Sequence, residues 1–534
     1  MAELIVYRGG EAVTVNPTSD TCYLYRIGSG QVTGGDFIDL NDSNRLNKLA
    51  EAIRDDYSQW IYSLNESFLA ADLIIDDLSL FFLTDISCKR SEFFETFDSI
   101  CNLLLIQHQL VSVKLTNALL IGVEPGFERA FRSIFPATEI TVSNQAKPQA
   151  RSWRRLGSDS VYLLRAVGVL LINAVQKQNR LSCQSFERIF FSVYPQMLSG
   201  SGVDAKYGSF PNDKDGYAVS IFTDGMHQIT SIGQYRKWCR EAEYKGFCII
   251  DRHLRVCDVV LGVYWLVRMW HFFLRQRYQV RSFKNIDISG LMQSEYLFSI
   301  GRVMRLLVLR GAFGRFLKTI SAREFIYYPC EYPLGRMISW VTSLSKQKLL
   351  RTGFQMSIVS KRRLEQFLAP GEGSPSLPFL KHAPLPDRVL AEDAAAAAIY
   401  RQAGYRNVEI MDYIYRYAYL EEISPQKKPG WLLIAPGLHD GAMMLQHLRN
   451  EIAANPNNRY LIKPHPRADN CYLTRWMTIE NLQVSTKTIA QLLAMVSHVF
   501  VTYSSVGIEA SRLGVDVTII DVPGRVNTSP LMLV

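Results

Sequence analysis

The stretch Arg459-Tyr460-Leu461-Ile462-Lys463-Pro464-His465-Pro466-Arg467 decides the reading of the fold. A short apolar run that ends on two prolines reads as a buried strand passing into a loop, because proline cannot donate to a central ladder. The same alternation continues on both sides of it. Residues 431–435 read as a buried strand ending at Pro436-Gly437, 441–454 as a helix, 489–496 as helical, 499–502 as a strand, 506–513 as a short helix closed by Gly514, and 517–521 as a strand. Short apolar runs alternating with helical stretches are the pattern of β-α-β units on a parallel sheet. Upstream, Arg388-Val389-Leu390-Ala391 reads as one more strand and 392–403, rich in alanine, as a helix stopped by Gly404. The expectation for 387–534 is a Rossmann-like domain of four or five parallel strands.

Residues 369–386 contain Pro370, Pro375, Pro378, Pro384 and Pro386 with Gly371 and Gly373, and read as a linker. A softer break, polar and basic, falls at 144–158 and sets off an N-terminal α/β subdomain (1–150) from an α/β domain with helical insertions (151–368). Strand-like runs at 4–8, 73–75, 118–122, 218–222 and 325–328 lie among long helical stretches such as 156–178.

Composition narrows the class. A chain of 534 residues, 48% hydrophobic and 20% charged, is an ordinary globular protein of two or three domains, not a disordered, collagenous or disulfide-scaffold chain. The net charge of +9 favours phosphates, anionic sugars or an acidic membrane surface and is too weak to name nucleic acid. Nine scattered cysteines without a C-x-x-C pair read as reduced thiols, and the N-terminus lacks the basic and apolar regions of a secretion signal, so a cytoplasmic location is expected. Residues 256–274 are long and apolar enough to span a bilayer, yet hold Asp258, Arg268 and His271, which argue against spanning. A buried core helix is the first reading. An interfacial helix is the second, kept open by Trp265, Trp270, Phe272 and Phe273 ahead of Arg275 and Arg277.

Candidate chemistry sits at strand ends, since ligands of open parallel sheets bind outside the carboxyl ends of strands. There, two prolines aim His465, with Lys463 and Arg467 as phosphate-directed charges and Gly437 on a neighbouring turn; the alternative is a rigid loop whose histidine bonds a carbonyl. Ser504 and Ser505 stand between a strand and a helix start, where hydroxyls and first-turn amides can hold a phosphate, or where Ser505 is only an N-cap. Glu509, four residues after Ser505 rather than three, does not complete a capping box and is free to meet a ribose. A hydrolase elbow is excluded by order, because no histidine follows Ser505. Nearer the N-terminus, Asp224 follows the apolar run 218–222, and Glu331 follows 325–328; each can serve as base or nucleophile, or be a turn residue and a helix start respectively. No dinucleotide fingerprint, P-loop or metal-ligand pattern occurs.

With these residues in view, the chain resembles GT-B glycosyltransferases that use CMP-activated sugars, the bacterial sialyltransferase-like and Kdo-transferase-like enzymes of capsule, lipopolysaccharide and O-antigen synthesis. His465-Pro466 resembles their HP element and Ser504-Ser505 their SS element; Asp224-Gly225 is similar to their acidic-Gly element more loosely, Thr223 standing where the family has a second acid. CDP-glycerol and CDP-ribitol phosphotransferases resemble the chain in the same places. The resemblance implies an α/β, GT-B-like fold of two Rossmann-like domains facing a cleft. It implies transfer of Kdo or a nonulosonic acid (sialic, pseudaminic or legionaminic) from a CMP donor to a glycan or lipid-linked acceptor at the inner face of the cytoplasmic membrane. Ser504 and Ser505 would hold the phosphate, His465 the departing oxygen, Glu509 the ribose, and Asp224 or Glu331 the acid-base chemistry, with no cofactor and no metal. A polyol-phosphate transferase and a non-catalytic glycan-binding module are the competing expectations.

Overall fold

The computed structural model describes residues 2–146, 152–175, 184–198, 202–222, 231–328, 331–466 and 468–533. Three large parallel sheets follow one another along the chain. The first is built from β1 (Ala2–Arg8), β2 (Thr21–Ile27), β3 (Ile38–Asp39), β4 (Leu115–Ile121) and β5 (Glu139–Ser143), in the order β3-β2-β1-β4-β5. The second contains β6 (Arg188–Val193), β7 (Gly216–Ser220), β8 (Cys248–Ile249), β9 (Glu324–Tyr327), β10 (Leu350–Phe354), β11 (Arg388–Ala391) and β12 (Val408–Ile410), in the order β8-β7-β6-β9-β10-β11-β12. The third contains β13 (Lys428–Ile434), β14 (Arg459–Ile462), β15 (Leu482–Val484), β16 (Val496–Val501) and β17 (Asp516–Ile519), in the order β15-β14-β13-β16-β17. Each sheet starts in its middle, winds outward, then returns to wind the other way, which is the Rossmann order. The α/β class with Rossmann-like parallel sheets expected from sequence is present, with three such sheets where two were expected.

The helices that matter below are α1 (Thr96–Gln109), α2 (Ser152–Val175), α3 (Ile232–Tyr244), α4 (Val256–Gln276), α5 (Gln293–Phe316), α6 (Gly441–Ala454) and α7 (Val506–Arg512). The third sheet shows why its strands are apolar without interruption: both faces are covered. Leu432 and Ile434 pack with Met444, Leu445 and Leu448 of α6 on one side. On the other, Leu433, Val499 and Val501 pack with Val506 and Ala510 of α7.

Two boundaries differ from the sequence reading. β11 pairs with β10 through Thr352–Arg388, Gly353–Val389 and Phe354–Leu390, so the strand assigned to the C-terminal domain completes the second sheet, and the third unit starts near β13. Local pattern reveals a strand but not its partner. Residues 369–386 are no exposed linker either: Phe379 and Ala383 are fully buried, and the Phe379 carbonyl accepts the Ser79 amide (3.1 Å). Glu372 of this segment is buried between two cations, Lys89 (3.4 Å) and Arg336 (3.1 Å), both also buried. Prolines here shape a packed strap rather than a free tether.

α4 is a core helix along one face only. Of the four aromatics that kept the interfacial option open, Trp265, Phe272 and Phe273 point inward and are buried with α5, and Trp270 is partly buried against the same core. Asp258 is bound by Arg315, and Arg268 donates to the carbonyls of Ala71 (3.1 Å) and Asp72 (3.0 Å).

The first and third units dock at their rims. The amide of Gly28, just past β2, donates to the Pro523 carbonyl (2.8 Å), Ser29 donates to the Met443 carbonyl (2.9 Å), and Asn102 of α1 donates to that of Gly524 (2.9 Å).

Candidate functional site

A cavity of about 470 Å³ lies at the carboxyl edge of the third sheet. One wall is His439 and Asp440, which follow β13, and Thr502 and Tyr503, which follow β16. β13 and β16 are the first and fourth strands, so this is the switch point where loops diverge and leave a crevice. The other wall comes from afar: Glu92, Phe93 and Glu95 ahead of α1, Arg362 and Arg363 after β10, and Arg525 near the C-terminal end. The volume suits a small-molecule ligand.

The charges in the walls are mutually held. Arg363 bonds Glu92 (2.9 Å) and Glu365 (2.7 Å); Arg362 bonds Glu51 (2.8 Å) and the Asn527 carbonyl (2.6 Å); Arg525 bonds Glu95 and Asp98 (3.3 Å to the latter). Asp98 is still raised above the ordinary carboxylate range because burial outweighs the Arg525 charge. The cavity therefore offers oriented donors and acceptors more than a bare positive field.

Asp440 is different. Its side chain accepts the Thr502 hydroxyl, it is 4% exposed, and among the described residues no ion pair reaches it. Burial pushes its carboxyl up to about 7. A carboxyl poised near neutrality in a cleft is suited to move protons. The sequence reading passed over it, although an acid shortly after a strand end was the signal used for Asp224.

Gly437 has a steric role. It is packed beneath Tyr503, and a Cβ there would overlap the ring. Because that ring is the free end of a side chain, Gly437→Ala should displace Tyr503 into the cavity and leave the fold standing: ligand affinity falls roughly tenfold or more, while the melting temperature moves by only a few degrees. Calorimetric titration beside a thermal melt checks both.

The residues singled out from sequence are only partly brought together. β14 and β16 flank β13, so the His465 loop and the Ser504-Ser505 turn leave the same edge about 10 Å apart by strand spacing. They are not on successive turns, since β15 intervenes in the chain. Lys463 and His465 are partly buried, and the Lys463 amide donates to the Ile434 carbonyl (3.0 Å). Neither His465 nor the two serines line the cavity, whereas Tyr503 beside them does. The first-turn amides of α7 are not free as expected: Val506 donates to the Ser504 hydroxyl (3.4 Å), Gly507 to the Ser504 carbonyl (3.2 Å) and Ile508 to the Ser505 carbonyl (3.0 Å). Glu509 is not free in this structure. It is buried, accepting the hydroxyls of Tyr419 (2.5 Å) and Ser505 (3.3 Å), and so ties α7 to the segment ahead of β13. Glu331 is buried under the Tyr400 hydroxyl, away from the cavity. Asp224 and Arg467 lie outside the described residues.

No family model matches the sequence, and no curated protein does. Among solved structures, the chain is similar to the wall teichoic acid polymerase TagF soaked with CDPG, with a TM-score of 0.29 and 10% identity over 69% of this chain and 78% of that one. It is similar also to a mutant O-GlcNAc transferase from Thermobaculum terrenum, with a TM-score of 0.28 and 10% identity over 92% of this chain and 78% of the other.

Proposed function

We propose that the chain is a glycosyltransferase that moves an acidic sugar, Kdo or a nonulosonic acid, from a CMP donor to a glycan or lipid-linked acceptor in the cleft at the third sheet. The observation that carries this reading is Asp440, a buried carboxyl raised to about 7 that lines a ligand-sized cavity at a switch point. In its ionised form it takes the proton from an acceptor hydroxyl. The new C–O bond forms at the anomeric carbon as the bond to the phosphate oxygen breaks, and CMP leaves with that electron pair. The proton then passes from Asp440 to water. The departing phosphate lies toward the rim, where His465, Lys463, Ser504 and Ser505 stabilise its charge; Ser505 turns from Glu509 to do so. In this assignment Asp440 takes the base role that the resemblance gives to Asp224, for which Glu331 was the second candidate.

Donor choice is read by thermal shift with CMP, CDP and UDP. A ligand at a hundredfold excess over its Kd adds about 2.7 kcal/mol to stability, enough to raise the midpoint by several degrees. CMP is expected to give the largest shift, and His465→Ala to remove most of it. A preference for CDP replaces the reading with polyol-phosphate transfer. No shift with any nucleotide makes the chain a non-catalytic module.

A further inference from the structure

We propose that α2 and α4 together form a docking face for an anionic lipid surface, on which the protein lies without crossing the bilayer. The two helices pack on one another and both pack on α5, so their outer faces adjoin. A helix facing water ordinarily shows polar groups there. α4 instead exposes Val256, Val260, Val263 and Val267, at 66%, 62%, 42% and 63%, spaced as one helical stripe. α2 continues it with Leu164, Leu171 and Val175, at 71%, 61% and 76%. These are not the inward aromatics of the same helices, and among the described residues they stand exposed.

Charge selects the occupant. The acids of both helices, Asp159 and Asp258, are buried and bound by Arg305 and Arg315. The ends and one flank are basic: Arg275 in the last turn of α4 and Arg277 just past it are exposed, and α3, packed on α2, exposes Arg236, Lys237 and Arg240, while on the other flank the exposed Asp72 sits where Arg268 binds its carbonyl. α3 also carries Glu241 and Glu243, which face Lys237 (3.8 Å) and Arg252 (2.7 Å). An apolar stripe bordered by Lys and Arg is the pattern of an interfacial helix on acidic lipid. Crossing is opposed by the inner faces, which are held in the core by these same ion pairs. Such a face is independent of which donor the cleft binds.

The test is flotation of the full chain with vesicles of phosphatidylcholine containing phosphatidylglycerol, against vesicles of phosphatidylcholine alone. Binding to the anionic vesicles is expected, about tenfold or more weaker on the neutral ones and weakened by salt. Val260→Glu with Val267→Glu should abolish it, as should Arg275→Glu with Arg277→Glu, with unchanged circular dichroism and thermal midpoint since all four positions are exposed. Wild-type flotation by both variants, or none on anionic vesicles, overturns the proposal. So does a concentration-dependent dimer on gel filtration that the valine variant dissolves, which would make the face a contact between two copies.

Discussion

Asp440→Asn is expected to lower transfer by about a hundredfold or more, the contribution of a positioned general base, while making the folded protein more stable at alkaline pH. The two effects share one cause. Burial holds the carboxyl at about 7, well above the value it has in an unfolded chain, so the native state binds the proton more tightly than the unfolded state does. Below about pH 4 the group is neutral in both states and contributes nothing. Between about 4 and 7 the unfolded chain ionises while the native carboxyl resists, and stability falls as pH rises, by roughly 2–4 kcal/mol in total. Asparagine keeps an acceptor for the Thr502 hydroxyl and carries no charge, so its melting temperature should exceed that of the parent at pH 8 and match it at pH 4. Transfer by the parent should rise through pH 7 as the base ionises. A variant that stays active, or whose melting curve follows the parent at both pH values, removes Asp440 from the chemistry.

The second large effect is structural. Glu372→Gln leaves Lys89 and Arg336 facing one another in a dry site, with the strap that carries residue 372 no longer drawn to either. Removing one member of a buried ion cluster costs roughly 3–5 kcal/mol, because the two remaining cations keep only neutral partners on Ser87 while their opposing charge is gone. A fall of that size in urea unfolding is the expected result. Adding Lys89→Met should restore part of it, since one carboxylate was shared by two cations and the double variant buries a single charge. If Glu372→Gln unfolds at the parent's urea concentration, the cluster does not hold the first and second sheets together.

Much of the third sheet was legible because its signals are local. The helix at 441–454 has the bounds expected from sequence, and the strands ending at Ile462 and Val501 were visible as apolar runs. β15 was missed because Leu482-Gln483-Val484 is too short to show a period. Arg388–Ala391 was recognised as a strand and given to the wrong sheet, since pairing with residues 352–354 is a long-range choice that no window of sequence contains. The cavity was the hardest to foresee for the same reason: its far wall is drawn from residues 91–98 and 362–365, which the sequence gives no cause to place near Asp440. Glu509 misled for a different reason. Its spacing from Ser505 rules out a capping box but does not exclude the simpler bond across one helical turn that it makes, together with Tyr419.

Arg525 joins Glu95 across 430 positions of the chain, and Asn102 reaches Gly524 across 422. On a ribosome, the first sheet is complete long before these partners are made, and its rim waits uncovered through the synthesis of two further sheets. Contacts of such separation are slow to close. The cleft is thus the last feature of the molecule to mature, and a nascent chain stalled before residue 520 would expose the patch around Gly28 and Asn102 to chaperones or to its neighbours on the same message.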